Sequence, residues 1–193
     1  MRIVGGRLGG LRLAAVGKGD AGAQLRPTVD RVRESLFSIL ASKGYPQDGQ
    51  PALDLFAGTG ALGLEALSRG AGHVTFIEQG RVALGLLQSN IKRADPEGGA
   101  TRLIRKDATK LGARPENLAA ADLVLLDPPY GRGMGEKALL AASAGGWMAQ
   151  EALVVWEENA PQLPPEGFTL VDQRRYGDTH ITILRCGADK AVI

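Results

Sequence analysis

The sequence predicts an α/β fold: a mostly parallel sheet with helices on both faces and a ligand site at the carboxyl ends of its strands. Three observations predict it. From residue 51 onward, short apolar runs alternate with stretches of helical periodicity. A glycine turn of the form G-x-G-x-x-G, made by Gly58, Gly60 and Gly63, follows the first apolar run. Near its end the chain changes character, and two strand-like segments flank a polar connection.

Taken in order, residues 2–5 and 11–16 are short alternating segments separated by glycines, as in a small hairpin. Residues 28–40 read as a helix with Val29, Val32, Leu36 and Leu40 on one face and Arg31, Arg33 and Glu34 on its polar face. Residues 52–56 form the first strand, followed by the glycine turn and a helix over 61–69 that ends at Gly70. Strands over 73–77, 101–105, 122–126 and 152–156 alternate with helices over 81–94, near 115–120 and over 136–142. The terminal pair, 168–171 and 181–184, meets through Tyr176-Gly177-Asp178 and is antiparallel.

A doubly wound sheet of seven strands with a late antiparallel strand is the mark of class I S-adenosylmethionine-dependent methyltransferases. The expected division is a basic β-hairpin extension over residues 1–25 and a Rossmann-like domain over 26–193.

At 193 residues, with 44% hydrophobic and 23% charged residues, the chain can bury one substantial core without staples. Neither a leader-like N-terminus nor an apolar run of bilayer length is present, so a cytoplasmic protein is expected, with no membrane partner. A single cysteine, Cys186, and two histidines, His73 and His180, offer little for a metal centre, and no metal is expected. Net charge is +2, divided unevenly: residues 1–33 carry +5 and the remainder −3. Such asymmetry suits a phosphate-binding surface on an otherwise neutral enzyme, or a solvated arm. The arm is expected to order when RNA binds.

Chemistry concentrates at strand ends. The glycine turn, with Asp54 and Phe56 leading into it, lets a ligand approach a helix N-terminus, as in many dinucleotide enzymes. Glu78 stands twenty positions after Gly58, at the end of the second strand, where a carboxylate can accept hydrogen bonds from ribose hydroxyls. Asp107, with Ala108 beside it, is placed to meet an adenine amine. The segment Asp127-Pro128-Pro129-Tyr130, directly after the fourth strand, separates methyl transfer from hydride transfer. Two prolines stiffen the loop. The Asp127 side chain and the Pro128 carbonyl can then hold both hydrogens of an amine, leaving its lone pair aimed at a sulfonium methyl. Tyr130 offers a flat face for a base.

Three stretches together resemble the RsmD family of bacterial methyltransferases: Arg26-Pro27-Thr28-Val29-Asp30-Arg31-Val32-Arg33-Glu34-Ser35-Leu36-Phe37, the segment from Asp54 through the glycine turn, and Asp127-Pro128-Pro129-Tyr130. The resemblance runs from the Ile3-Val4-Gly5-Gly6-Arg7 start to Tyr176-Gly177-Asp178-Thr179, with departures at Gln79-Gly80 and Gly85. It implies transfer of a methyl group from S-adenosylmethionine to N2 of a guanine, number 966 in the usual numbering, in 16S ribosomal RNA. A monomer acting on the assembled or assembling small subunit is expected. Asp127, Pro128 and Tyr130 would be catalytic. Asp54, Phe56, Gly58, Gly60, Glu78, Asp107, Ala108 and Asp127 would hold the cofactor. Arg26, Arg31 and Arg33 would lie near the cofactor mouth or meet RNA, and Arg2, Arg7, Arg12 and Tyr130 are further candidates for RNA contact. Adenine-N6 methylation of DNA is the alternative within enzymes, and a cofactor-binding RNA chaperone and a nicotinamide oxidoreductase are the others.

Overall fold

The computed structural model describes residues 1–15 and 30–187. Its elements are α1 (Asp30–Ser42), β1 (Pro51–Leu55), α2 (Ala61–Ser68), β2 (His73–Glu78), α3 (Arg81–Ala94), β3 (Thr101–Arg105), β4 (Ala121–Leu126), α4 (Met134–Ala144), β5 (Met148–Glu158), β6 (Phe168–Tyr176) and β7 (Thr179–Cys186). The seven strands form one sheet in the order β3-β2-β1-β4-β5-β7-β6. Strands β1 to β5 pair in parallel, while β7 runs antiparallel to both β5 and β6. The expected mostly parallel sheet with antiparallel terminal strands is therefore present. Strand order reverses beside β1, so the carboxyl ends of β1 and β4 flank the natural crevice of such a sheet.

Central strands are apolar on both faces, because helices cover both. Leu123 and Leu125 of β4 pack with Leu36, Phe37, Leu64, Phe76 and Leu87 on one side. Val124 and Leu126, two-residue alternates on the same strand, pack with Leu139, Trp147 and Trp156 on the other. Both tryptophans are core residues, as expected.

Three sequence expectations are corrected. No helix forms near 115–120; the crossover instead carries a 3-10 turn at Ala108–Lys110. Arg114 donates to the Leu118 carbonyl, a backbone group a helix there would have used, and the flanking carbonyls of Gly112 and Gly146 are taken by Trp147 at 2.8 Å and by Arg114. The terminal strands are longer than their apolar stretches, because antiparallel pairing continues from Leu153 opposite Arg185 to Glu158 opposite His180. The buried face of α1 is Arg33, Leu36, Phe37 and Leu40, so Arg33 faces the interior and not the solvent.

Residues 1–15 are already seated on the domain. Arg2 and Arg12 form a single antiparallel bridge, and Ile3 and Leu13 are buried. The docking hub is Glu65 of α2, fully buried. It accepts the amides of Val4 at 2.7 Å and Gly5 at 2.8 Å and pairs with Arg69 at 2.8 Å and Arg33 at 3.6 Å. Asn90 of α3, also buried, accepts the Ala14 amide at 2.7 Å and donates to the carbonyls of Ala14 and Thr59. The RNA-contact expectation for Arg26 lies outside the described residues, as do Val16, Lys18, Asp20, Thr28 and Val29. Among the described residues no helix is long and apolar enough to cross a membrane.

Candidate active site

The glycine turn is built by backbone geometry that its sequence permits. Phe56 leaves β1 with φ 60°, and Gly60 sits at φ 82° as the residue that caps α2. A side chain at Gly60 would meet Leu87 at 2.5 Å, so the turn is pressed against α3 as well as strained. Asp54, buried at the end of β1, accepts the Gly63 amide at 2.9 Å and pins the first turn of α2. Burial pushes its carboxyl up from 3.8 to about 7, with the Glu78 charge adding to the effect and the Gly63 hydrogen bond opposing it. Asp54 thus shapes the turn from beneath.

Glu78, at the end of β2, accepts the Gly58 amide at 2.8 Å through Oε2, and the amides of Gln79 and Gly80 at 2.8 and 2.6 Å through Oε1. A carboxylate offers about four acceptor positions, which leaves room beside Gly58 for a hydroxyl. Asp107 caps the 3-10 turn, its Oδ1 accepting both the amide and hydroxyl of Thr109 at 2.9 and 2.7 Å. Those hydrogen bonds from Thr109 hold Asp107 below the usual carboxylate range, while Oδ2 is left for an outside donor. Ala108 is buried beside it.

The loop after β4 is held from β5. Tyr130 donates its hydroxyl to Glu157 Oε1 at 3.0 Å, and the Gly131 amide donates to Glu158 Oε1 at 2.6 Å. Both glutamates are nearly buried, at 3% and 6% exposure. Burial first, then the charges of Glu157, Asp54 and Glu158, raise Asp127 well above the ordinary carboxylate range. Tyr130 is likewise raised, by burial and by Glu157 and Asp127, so it remains a neutral hydroxyl. Asp54, Asp127, Glu157 and Glu158, with Glu78 beyond, make an arc of carboxylates across neighbouring strand ends, an environment complementary to a cation.

The structure therefore brings Asp54, Phe56, Gly58, Gly60, Glu78, Asp107, Ala108, Asp127, Pro128 and Tyr130 to one edge of the sheet. Arg2, Arg7, Arg12 and Arg31 are exposed. Arg33 is the exception among the expected RNA residues: with no exposed surface it pairs with Asp30 and Glu65 and donates to the Arg2 carbonyl, so it supports the hairpin and cannot reach RNA. Sequence reasoning missed Glu157 and Glu158. Their signal was two consecutive acids closing the apolar run of β5, level with the Asp127 loop.

The cofactor test is one of chemistry. Bare backbone at Gly58 and Gly60, a carboxylate at the end of β2, an open acceptor at Asp107 and negative charge around Asp127 fit a ribose, an adenine amine and a sulfonium. Among the described residues no cluster of His, Cys, Asp and Glu is arranged to hold a metal ion.

The family model of conserved hypothetical protein 95 matches residues 1–185. The ribosomal RNA small subunit methyltransferase D of Haemophilus influenzae is 32% identical over 179 residues, 92% of this chain and 89% of that protein. Its Escherichia coli counterpart is 39% identical over 176 residues, 88% of this chain and 82% of that protein. A solved Escherichia coli structure, described as a candidate methyltransferase, superposes with a TM-score of 0.78 at 34% identity, covering 98% of this chain and 99% of that one. The fold is that of the Rossmann-like methyltransferases, and the chain belongs to the RsmD family.

Proposed function

We propose that this chain transfers a methyl group from S-adenosylmethionine to the exocyclic N2 amine of a guanine in 16S ribosomal RNA, position 966 in the usual numbering. In this reading it acts in the cytoplasm as a monomer on the assembled or assembling small subunit. The observation that carries the reading is the Asp127-Pro128-Pro129-Tyr130 loop, clamped by Glu157 and Glu158 beside the glycine turn. The names of its relatives supply the ribosomal RNA class.

Bound S-adenosylmethionine supplies an electrophilic methyl group. The Asp127 carboxylate and the Pro128 carbonyl accept the two amine hydrogens and draw the nitrogen lone pair out of conjugation with the base. Tyr130, its ring direction set by Glu157, stacks on the base. As the nitrogen takes up positive charge, the carboxylate arc stabilises it without reorganisation, and Asp127 is the proton's first acceptor. Gly58, Gly60, Glu78 and Asp107 hold the nucleoside end, with Asp54 and Phe56 fixing the turn. Exposed Arg2, Arg7, Arg12 and Arg31 contact RNA phosphate, the basic hairpin of residues 1–25 acting as an extension of the domain over 26–193.

The test is methyl transfer from labelled S-adenosylmethionine to small subunits lacking guanine methylation, with wild type and Asp127→Ala compared, and the modified base mapped. Label on one guanine N2, absent in the variant while cofactor binding persists, is the expected result. Label on DNA adenine, or on no nucleic acid, would refute it.

A further inference from the structure

The molecule carries a second concavity that the site above does not use. It is an open cleft of about 600 Å³ between α1 and the outer strand β6, lined by Arg31, Glu34, Ser35, Ser38, Arg174 and Tyr176 among others. We propose that this cleft binds a nucleotide flanking the methylated one, its phosphate on Arg31 and Arg174 and its base on Tyr176. The inference rests on the proposed RNA substrate and names a further subsite for it.

Its position comes from the β6–β7 hairpin. Tyr176 is the last residue of β6 and lies opposite Thr179 in the ladder. The Thr179 side chain hydrogen-bonds Tyr130, and His180, next along β7, lies opposite Glu158 of β5. The cleft therefore opens one strand pair away from the tyrosine expected to stack the target base. A strand of nucleic acid leaving that tyrosine over the hairpin turn would run directly into it.

Its chemistry is that of a polynucleotide. Arg31 makes no ion pair among the described residues. Arg174 meets only one oxygen of Asp172, at 3.1 Å for Nη2, with its side chain 56% exposed. Two guanidiniums with N–H groups to spare are geometrically matched to phosphate oxygens. Tyr176 packs its inner side on the core, which fixes the ring for stacking. Glu34 and Ser35 supply the acceptor and donor that a ribose 2′-hydroxyl can use, a group DNA lacks. The volume suits one nucleotide, and the cleft is open to solvent.

The experiment titrates a fluorescein-labelled RNA hairpin against full-length wild type, Arg174→Ala, and the Arg31→Ala/Arg174→Ala double variant, across a series of salt concentrations. Affinity for the RNA should fall by roughly tenfold in the double variant, and the logarithmic salt slope should shrink by about 1.4, the value for two single-strand phosphates. Thermal midpoint and affinity for S-adenosylhomocysteine serve as controls for folding and should stay at wild-type values. A 4-thiouridine placed beside the target guanine should crosslink to Tyr176. Unchanged affinity and slope would overturn the proposal. So would loss of polyglutamate binding alone, which would point to an acidic protein segment as the occupant. The titration requires no turnover. RNA held through this cleft but never methylated would refute the proposed reaction and spare the cleft, whereas guanine methylation with unaltered double-variant affinity would refute the cleft alone.

Discussion

Asp127 and Asp54 are two carboxyls on adjacent strands whose protonation is set by the same surroundings. In the proposed mechanism Asp127 is ionised when it accepts amine hydrogens and offsets charge on nitrogen, so methyl transfer should fade as pH falls through its raised value. Glu157→Gln keeps an acceptor for the Tyr130 hydroxyl but removes one charge that raises Asp127. The acidic limb of the pH–rate profile should therefore move to lower pH, its apparent value belonging to the cluster and not to one residue; a shift to higher pH would contradict this placement. Asp54 bears on stability in the opposite sense to a salt-bridged acid. Its native form binds a proton more tightly than the unfolded chain between 3.8 and about 7, so stability falls as pH rises through that window. Asp54→Asn should flatten the dependence, seen as a smaller difference between urea midpoints at pH 4.5 and pH 8. The Asp127 motif was legible because its residues are contiguous. Arg33 was misread because an arginine on a helix is assigned to water by default, and only the partner Glu65, thirty-odd positions away and inside an apolar helix, reveals its true direction.

At the level of elements, α3 and β3 were readable to their ends because uninterrupted periodicity marks them. The 115–120 segment was not, because the carbonyl of Leu118 within it is taken by the Arg114 side chain and not by a helical amide. The clamp of β5 on the Asp127 loop was equally hidden, since pairing of Tyr130 with Glu157 and Gly131 with Glu158 spans 27 positions. Element junctions also carry the largest expected costs. Glu65→Ala would take from Arg33 its buried carboxylate partner, leaving it Asp30 and the Arg2 carbonyl, and would release the amides of Val4 and Gly5; a loss of about 3 kcal/mol is expected in urea unfolding, as for a buried ion pair deprived of one member. Gly63→Ala would drive a methyl into Phe76 at 2.4 Å and Asp54 at 2.8 Å, where α2 crosses β1 and β2. Its cost should be about 1–3 kcal/mol, with weakened cofactor affinity because the glycine turn would shift.

Across the whole molecule, the sequence's charge imbalance becomes spatial: a hairpin carrying Arg2, Arg7 and Arg12 stands beside an anionic strand-end site. That arrangement suits a substrate with an anionic backbone and a cofactor with a cationic centre. The parallel core and its antiparallel terminal pair were legible from the alternation of elements, but the tethering of residues 1–15 to the domain was not, because it depends on buried polar side chains, Glu65, Ser68 and Asn90 among them, whose partners lie 60 to 76 positions away. Asn90 joins the two halves of this arrangement. One amide group holds Ala14 of the hairpin and the Thr59 carbonyl of the glycine turn, so a displacement of the Asn90 side chain disturbs both. In the proposed function this contact would link the two ligands, and the factor by which cofactor tightens RNA binding would then equal the factor by which RNA tightens cofactor binding. Asn90→Ala should bring that factor towards unity, measured by titrating RNA with and without saturating S-adenosylhomocysteine, and an undiminished factor would show that the hairpin and the turn communicate by another route.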